Sequence, residues 1–215
     1  MRKNRMVIVG AGGHGRVVAD LCELLGRWDE IVFLDELHPG LQECDGWQVV
    51  GANAGIAACA AGGCDFGLGV GNNAIRMKLF SEIEKHGGNL PPLIHPRATL
   101  SKRCRIGTGA VVLANAAVNI SADIGRGSIL NTSSSVDHDC RLGAGVHVCP
   151  GVHLAGDVKV GDLTLLGVGC SVKQCITIGS RAIVGAGAAV VCDIADGAVV
   201  AGVPARPLQR SRAHS

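Results

Sequence analysis

The chain of 215 residues has no tyrosine, three phenylalanines and two tryptophans, and no phenylalanine or tryptophan follows Phe80. This loss of rings marks a boundary near Asn89, and Pro91-Pro92 just after it read as a linker. Strong charge is also missing. A formal net charge of +2 argues against nucleic acid as the main partner. No stretch approaches the roughly 18 apolar residues that span a bilayer, which predicts no membrane partner. The start, Met1-Arg2-Lys3-Asn4-Arg5 followed by Met6-Val7-Ile8-Val9, has the order of a signal peptide. Its apolar run is short and is cut by Gly10 and His14, so it reads as a strand. The ten cysteines show no paired CxxC spacing. With no export signal they read as small buried hydrophobes in a reducing cytoplasm.

What is present is a clock. Stepping by six from Ile94 gives Leu100, Ile106, Val112, Val118, Ile124, Leu130, Val136, Leu142, Val148, Leu154, Val160, Leu166, Val172, Ile178, Val184 and Val190, all aliphatic. An aliphatic-glycine pair recurs every eighteen residues, at 106, 124, 142, 160 and 178. A long fixed period means a stacked solenoid, and three hexads per turn mean a three-sided one. Each side turns one aliphatic residue inward, glycine marks the same tight corner on every turn, and so narrow an interior leaves little room for rings.

Residues 1–90 read differently. A strand over 6–9 leads into Gly10-Ala11-Gly12-Gly13-His14-Gly15 and an amphipathic helix through about Leu25. Strand, glycine turn and helix N-terminus together can cradle a phosphate, because glycines admit close approach and helix N–H groups face the anion. A second strand, Ile31-Val32-Phe33-Leu34, ends at Asp35-Glu36, where a carboxylate would meet a ribose or base. A strand near 48–50, a helix over 52–62, a strand at 65–70 and a helix over 74–86 complete half a doubly wound sheet. A whole dinucleotide needs two such halves, so a nucleotide attached to something else fits better.

Inward positions of the solenoid are taken up by packing, so its chemistry has to come from outward and corner residues. One polar cluster stands out: Asn131-Thr132-Ser133-Ser134-Ser135-Val136-Asp137-His138-Asp139-Cys140. A histidine flanked by carboxylates can be a general base, its tautomer fixed and its basicity raised by the carboxylate. A solvated corner with capping carboxylates reads equally well from these residues alone. His147 and His153 fall on adjacent sides of the prism, and His138 takes a different hexad position, so the three do not converge on a metal within one chain. Cys140 reads as a bystander thiol rather than a nucleophile.

Several motifs together resemble the left-handed β-helix, hexapeptide-repeat family of bacterial sugar acetyltransferases. They are the glycine turn, Phe33-Leu34-Asp35-Glu36, Gly71-Asn72-Asn73 with Arg76, Leu93-Ile94-His95-Pro96, Leu130-Asn131-Thr132-Ser133-Ser134, Asp137-His138-Asp139-Cys140 and Ala201-Gly202-Val203-Pro204-Ala205. The family includes N-acetyltransferases of UDP- or GDP-linked 4-amino sugars and sialic acid O-acetyltransferases.

The resemblance implies an α/β plus β-solenoid fold: a half-Rossmann-like nucleotide-sugar domain over 1–90, then a left-handed β-helix over 91–215 with a short C-terminal tail. It implies acetyl-CoA as co-substrate, no metal, a cytoplasmic homotrimer with active sites between subunits, and products that feed surface polysaccharide. His138 matches the catalytic base and Asp139 the carboxylate beside it. Gly12, Gly13 and His14, with Asp35, Glu36 and Gly71, match positions that meet the nucleotide sugar. His147, Gly156, Val168 and Ala186 match positions that touch acetyl-CoA. The expected reaction is N-acetylation of the 4-amino group of a UDP- or GDP-linked 4-amino-4,6-dideoxy sugar. O-acetylation of a sialic acid is the nearest alternative, and a zinc hydro-lyase on the same solenoid a remote one.

Overall fold

The computed structural model describes residues 4–208. The basic start over 1–3 and the end of the C-terminal tail lie outside the described residues. The first part is a five-stranded sheet. β1 (Arg5–Val9) lies between β2 (Glu30–Leu34) and β5 (Asp65–Leu68), parallel to both. β4 (Trp47–Gly51) extends the sheet beyond β2, and the short β3 (Glu43–Cys44) pairs antiparallel to β4 at the edge. Met6, Val7, Ile8 and Val9 are all fully buried, the mark of a central parallel strand covered on both faces. Three helices accompany the sheet: α1 (Gly13–Leu25), α2 (Ile56–Ala61) and α3 (Asn73–Lys85). Two segments differ from the expectation. The helix expected over 52–62 is split into a 3-10 turn (Asn53–Gly55) and α2, and β3 was not foreseen. A two-residue edge strand has too little alternation to leave a pattern.

From Leu93 onward the chain coils through three sheets, parallel throughout except for a closing antiparallel pair, Val199–Ala201 with Arg206–Pro207. The first face holds Leu93–Ile94, Val111–Val112, Ile129–Leu130, His147–Val148, Leu165–Leu166 and Ile183–Val184. The second runs from Thr99–Leu100 to Ala189–Val190, and the third from Arg105–Ile106 to Thr177–Ile178. From Leu93 to Val190 the strand pairings are offset by one eighteen-residue turn, as in Val111, Ile129, His147 and Leu165. From Val112 to Val190 each residue of the six-step series is buried. Taking such a side chain out of water stabilises by about 1.5–3 kcal/mol.

A second inward column runs four residues behind the first: Ala116, Ala122, Ser128, Ser134, Cys140, Val146, Val152, Val158, Thr164 and Cys170, all buried. Because its members are chemically mixed, it does not show in the hydrophobic pattern. Cys140 belongs to this column and its Sγ–H donates to the Ala155 carbonyl, so the thiol is structural. Of the cysteines expected to be buried, Cys22, Cys140 and Cys170 are; Cys44, Cys59, Cys64, Cys104 and Cys149 are only partly covered, and Cys175 and Cys192 are exposed where the side chain leaves the prism.

The corners turn on a third column. Asn115, Ser121, Ser133, Asp139, Asp157, Leu163, Cys175 and Arg181 all have φ between 54 and 61°, and glycines such as Gly127 and Gly145 take the same place on other turns. The glycines of the eighteen-residue repeat serve another purpose. A Cβ on Gly143 would strike Asp162 of the next coil, so close stacking requires glycine there, while the left-handed turn falls two residues later.

The first part packs on the early coils. Met6, Ile8, Trp28 and Phe33 share a buried cluster with Leu93, Val111 and Leu113. Helix α3 lies along the edge between the third and first faces, with Arg126 stacked 5.4 Å over the Phe80 ring and paired to Glu84 at 3.3 Å.

Candidate active site

The glycine turn divides its work between packing and open space. Gly10, at φ 102°, donates its N–H to the Leu34 carbonyl at 2.8 Å, and a Cβ on Gly15 would collide with the Gly10 carbonyl. Those two glycines hold the crossing of β1 and α1. Gly12 and Gly13 are exposed, and a Cβ on either would meet nothing within 4 Å. No side chain caps α1 at Gly12, so its first N–H groups face open space and can receive an anion. Asp35 is committed first to the chain itself. Its Oδ2 accepts from Ala11 N–H at 2.7 Å and its Oδ1 from Leu37 N–H at 2.9 Å, which ties the end of β2 to the glycine turn. Glu36 is exposed beside it.

His14 extends from this turn toward the coil. Its ring centroid lies 6.4 Å from that of His147, although the two are far apart in sequence. Burial pushes the His14 pKa down to about 4, helped by His147 and the Arg76 charge. His147 is likewise lowered to about 4, by burial first and then by Arg76, with the Gly71 backbone acting in the opposite direction. Both rings are therefore neutral at physiological pH. The Nε2 atom of His14 is buried without a hydrogen-bond partner. Gly71, Asn72, Asn73 and Ala74 with Leu163, Leu165, Arg181 and Ile183 line a cavity of about 310 Å³ on this side of the molecule.

His138 stands at a different edge, between the second and third faces. Its Nδ1 lies 2.8 Å from Asp139 Oδ2, and both side chains are exposed. The left-handed backbone of Asp139, at φ 61°, accompanies this pairing of neighbours. Asp137 Oδ1 accepts from the His138 N–H at 2.8 Å and from Asn119 Nδ2 at 2.7 Å, which anchors the segment to the preceding coil. The hydrogen bond to Asp139 raises the His138 pKa, and the charges of Asp137, Asp139 and Asp157 add to this. With Nδ1–H donating to Asp139, the Nε2 lone pair is free to take a proton. Beneath the ring lies Gly156, where a Cβ would come within 2.5 Å of His138 Nε2. A cavity of about 610 Å³ opens beside Asp139, lined by Arg103, Arg105, Asp123, Arg141 and Asp157.

The expected site residues thus fall into three groups within one chain. His138, Asp139 and Gly156 occupy the edge between the second and third faces. His14, Gly71 and His147 gather where the first part meets the coil, with Gly12, Gly13, Asp35 and Glu36 on the same domain. Val168 and Ala186 are exposed at the remaining edge. His153 is held apart, 2.8 Å from the Ser135 hydroxyl. Among the described residues no three His, Cys, Asp or Glu side chains are arranged to hold a metal ion. Asn119 and Asp157 were missed from sequence; each lies one coil from the His138 segment, at the eighteen-residue offset that could have pointed to them.

Residues 5–83 match the family described as the PglD N-terminal domain. The chain is 34% identical over 111 residues to the UDP-N-acetylbacillosamine N-acetyltransferase of Bacillus subtilis. That match spans 51% of this chain and 51% of the relative, about half the length of each. The acetyltransferase domain of PglB from Neisseria gonorrhoeae, solved with acetyl coenzyme A, is 43% identical with a TM-score of 0.92, covering 95% of this chain and 99% of that one. A mutant perosamine N-acetyltransferase from Caulobacter crescentus, solved with CoA and GDP-perosamine, is 37% identical with a TM-score of 0.90, covering 96% and 98%. Two-domain layout, coil period and these full-length likenesses agree: the chain belongs to the left-handed β-helix, hexapeptide-repeat family of bacterial sugar acetyltransferases.

Proposed function

We propose that the protein transfers the acetyl group of acetyl-CoA to the 4-amino group of a UDP- or GDP-linked 4-amino-4,6-dideoxy sugar. The observation that carries this reading is the exposed His138–Asp139 pair, with Nδ1 held at 2.8 Å and Nε2 free. Residues 1–90 would hold the nucleotide sugar, its phosphates at the uncapped start of α1, and residues 91–215 would supply the base and the acyl-donor groove. The relatives solved with acetyl coenzyme A and with CoA plus GDP-perosamine support this pairing of substrates.

In the proposed reaction the sugar amine attacks the thioester carbonyl. A C–N bond forms, the C–S bond breaks, and the amine proton passes through His138 Nε2 to the departing CoA thiolate. A backbone N–H steadies the tetrahedral oxyanion. Asp139 orients the imidazole and favours its protonated form during transfer. His14, with its unpartnered buried Nε2, is suited to contact the sugar nucleotide. His147, Gly156, Val168 and Ala186 would contact acetyl-CoA in this reading, with groups from more than one chain drawn into one groove.

His138 sits at the turn between the second and third faces, whereas His147 lies in a strand of the first face and meets His14 there. A site that needs both is completed by a neighbouring copy, which supports a homotrimer with three interfacial active sites. A cytoplasmic location, where acetyl-CoA and nucleotide sugars are available, belongs to the same proposal.

The test supplies acetyl-CoA with UDP- and GDP-4-amino-4,6-dideoxy sugars, and in parallel with free and nucleotide-activated sialic acids. Efficient amide formation on a nucleotide amino sugar is expected. Transfer only to a sialic acid hydroxyl would replace the acceptor assignment while leaving the base in place.

A further inference from the structure

Arg76 is the only arginine, lysine or acidic side chain among the fully buried described residues, and it has no carboxylate partner there. Its guanidinium is instead saturated by neutral oxygens. Nε donates to the Gly127 carbonyl at 2.7 Å. Nη1 donates to Val70 and Gly71 at 3.2 and 3.0 Å, and Nη2 to Asn73 Oδ1 and the Gly145 carbonyl at 3.0 and 2.8 Å. Every one of the N–H donors a guanidinium carries thus has an acceptor. Asn73 continues the pattern, its Nδ2 donating to the Leu163 and Thr164 carbonyls at 2.9 and 3.1 Å.

The acceptors on the solenoid are not scattered. Gly127, Gly145 and Leu163 are the left-handed corner residues of three successive coils, eighteen apart. Among the described residues the coil ladder leaves their carbonyls without a backbone donor. Buried carbonyls need partners, and one arginine with one asparagine from the first domain supplies them. The same guanidinium holds Val70 and Gly71, the loop that enters the cleft beside His147.

We propose that Arg76, assisted by Asn73, is a positioning residue that sets the Gly71 loop, and with it the nucleotide-sugar side of the site, in register with the coil that carries His147. This role rests on the function proposed above. A lysine cannot reproduce it, because three donors on one nitrogen cannot reach acceptors spread around a planar fork. The coil is rigid through its own ladder, so loss of the clamp displaces the sugar side and leaves the acetyl-CoA side in place.

The experiment compares wild type, Arg76→Lys and Asn73→Ala, with folding checked by circular dichroism. Kinetics are measured for both substrates, and amide hydrogen exchange is followed over residues 10–16, 70–76 and 127–165. For Arg76→Lys the KM for the nucleotide sugar is expected to rise about tenfold, the scale of lost buried hydrogen bonds, with the KM for acetyl-CoA unchanged. Asn73→Ala, which keeps the arginine, shows a smaller rise of the same kind and serves if Arg76→Lys does not fold. Exchange should quicken over 10–16 and 70–76 and stay constant over 127–165. A lower kcat with both KM values unchanged, or exchange that quickens uniformly, would overturn the proposal, because that is the signature of a smaller folded fraction. Failure of wild type to acetylate any nucleotide sugar would count against the proposed function, while unchanged exchange over 70–76 in the variants would count against the clamp.

Discussion

The His138 ring lies so close over Gly156 that residue 156 has no room for a methyl group: a Cβ there would fall within 2.5 Å of both Nε2 and Cε1. Gly156→Ala therefore moves the exposed imidazole against its hydrogen bond to Asp139, while leaving the buried columns intact. A displacement of about 1 Å at a reacting group can cost 10²-fold in rate. We expect kcat to fall by about that factor with the melting temperature little changed. A variant as active as wild type would show that the ring does not need its observed position.

Replacing the base itself is more severe. His138→Ala is expected to lower kcat by about 10²–10⁴, with little change in KM for either substrate, because the loss is confined to the transition state. Asp139→Ala costs less. Near-normal turnover by His138→Ala would remove the histidine from the mechanism.

The pH profile tests the pair. His138 must be neutral to accept a proton, so activity rises as pH passes upward through its pKa. Asp139, by its hydrogen bond, holds that pKa above the ordinary value of about 6.5. In Asp139→Asn the charge is gone and the pKa falls back, so the acid limb of kcat/KM moves to lower pH. An unmoved acid limb would mean that another group titrates there.

The open and closed glycines of the first turn should separate cleanly. Gly13→Val adds a branched side chain where nothing lies within 4 Å, so the fold survives and the phosphate approach is blocked. The KM for the nucleotide sugar should rise while that for acetyl-CoA holds. Gly15→Ala drives a methyl into the Gly10 carbonyl and should lower stability instead. Equal damage to both KM values in Gly13→Val would point to a folding defect.

Shared sites can be read by complementation. At a nucleotide-sugar concentration well below the raised KM, His138→Ala and Gly13→Val are each expected to be nearly inactive; in the proposed trimer, dissociation and remixing in equal amounts would give about one quarter of sites a sound first domain with a sound base from a neighbour. Recovery of activity toward that fraction is expected, alongside a trimer mass by light scattering. No recovery from a mixture that has exchanged subunits would place each site within one chain.

The repeat was legible because its physical cause is local. Each hexad puts one aliphatic side chain into a narrow interior, and the series from Val112 to Val190 is buried as its period implies. The β1–glycine–α1 unit was legible for a similar reason, since a short apolar run, a glycine turn and an amphipathic helix are contiguous. The left-handed corner column was not, because asparagine, serine, aspartate, leucine, cysteine, arginine and glycine all fill it and share no hydropathy. His138 and Asp139 could be named as a pair from their adjacency.

That Gly156 lies under the ring, that His14 meets His147, and that Arg76 is buried were decided by tertiary structure. Arg76 looks from its neighbours like one more cation on a surface helix. Two of its acceptors are carbonyls 51 and 69 residues away, and a backbone carbonyl has no signature in a sequence. The order of residues sets which side chains can enter a core or a corner. Only the docking of one domain on the other brings distant backbone oxygens around a single guanidinium, and the location of the cavity between Gly71 and Leu163 follows from that packing.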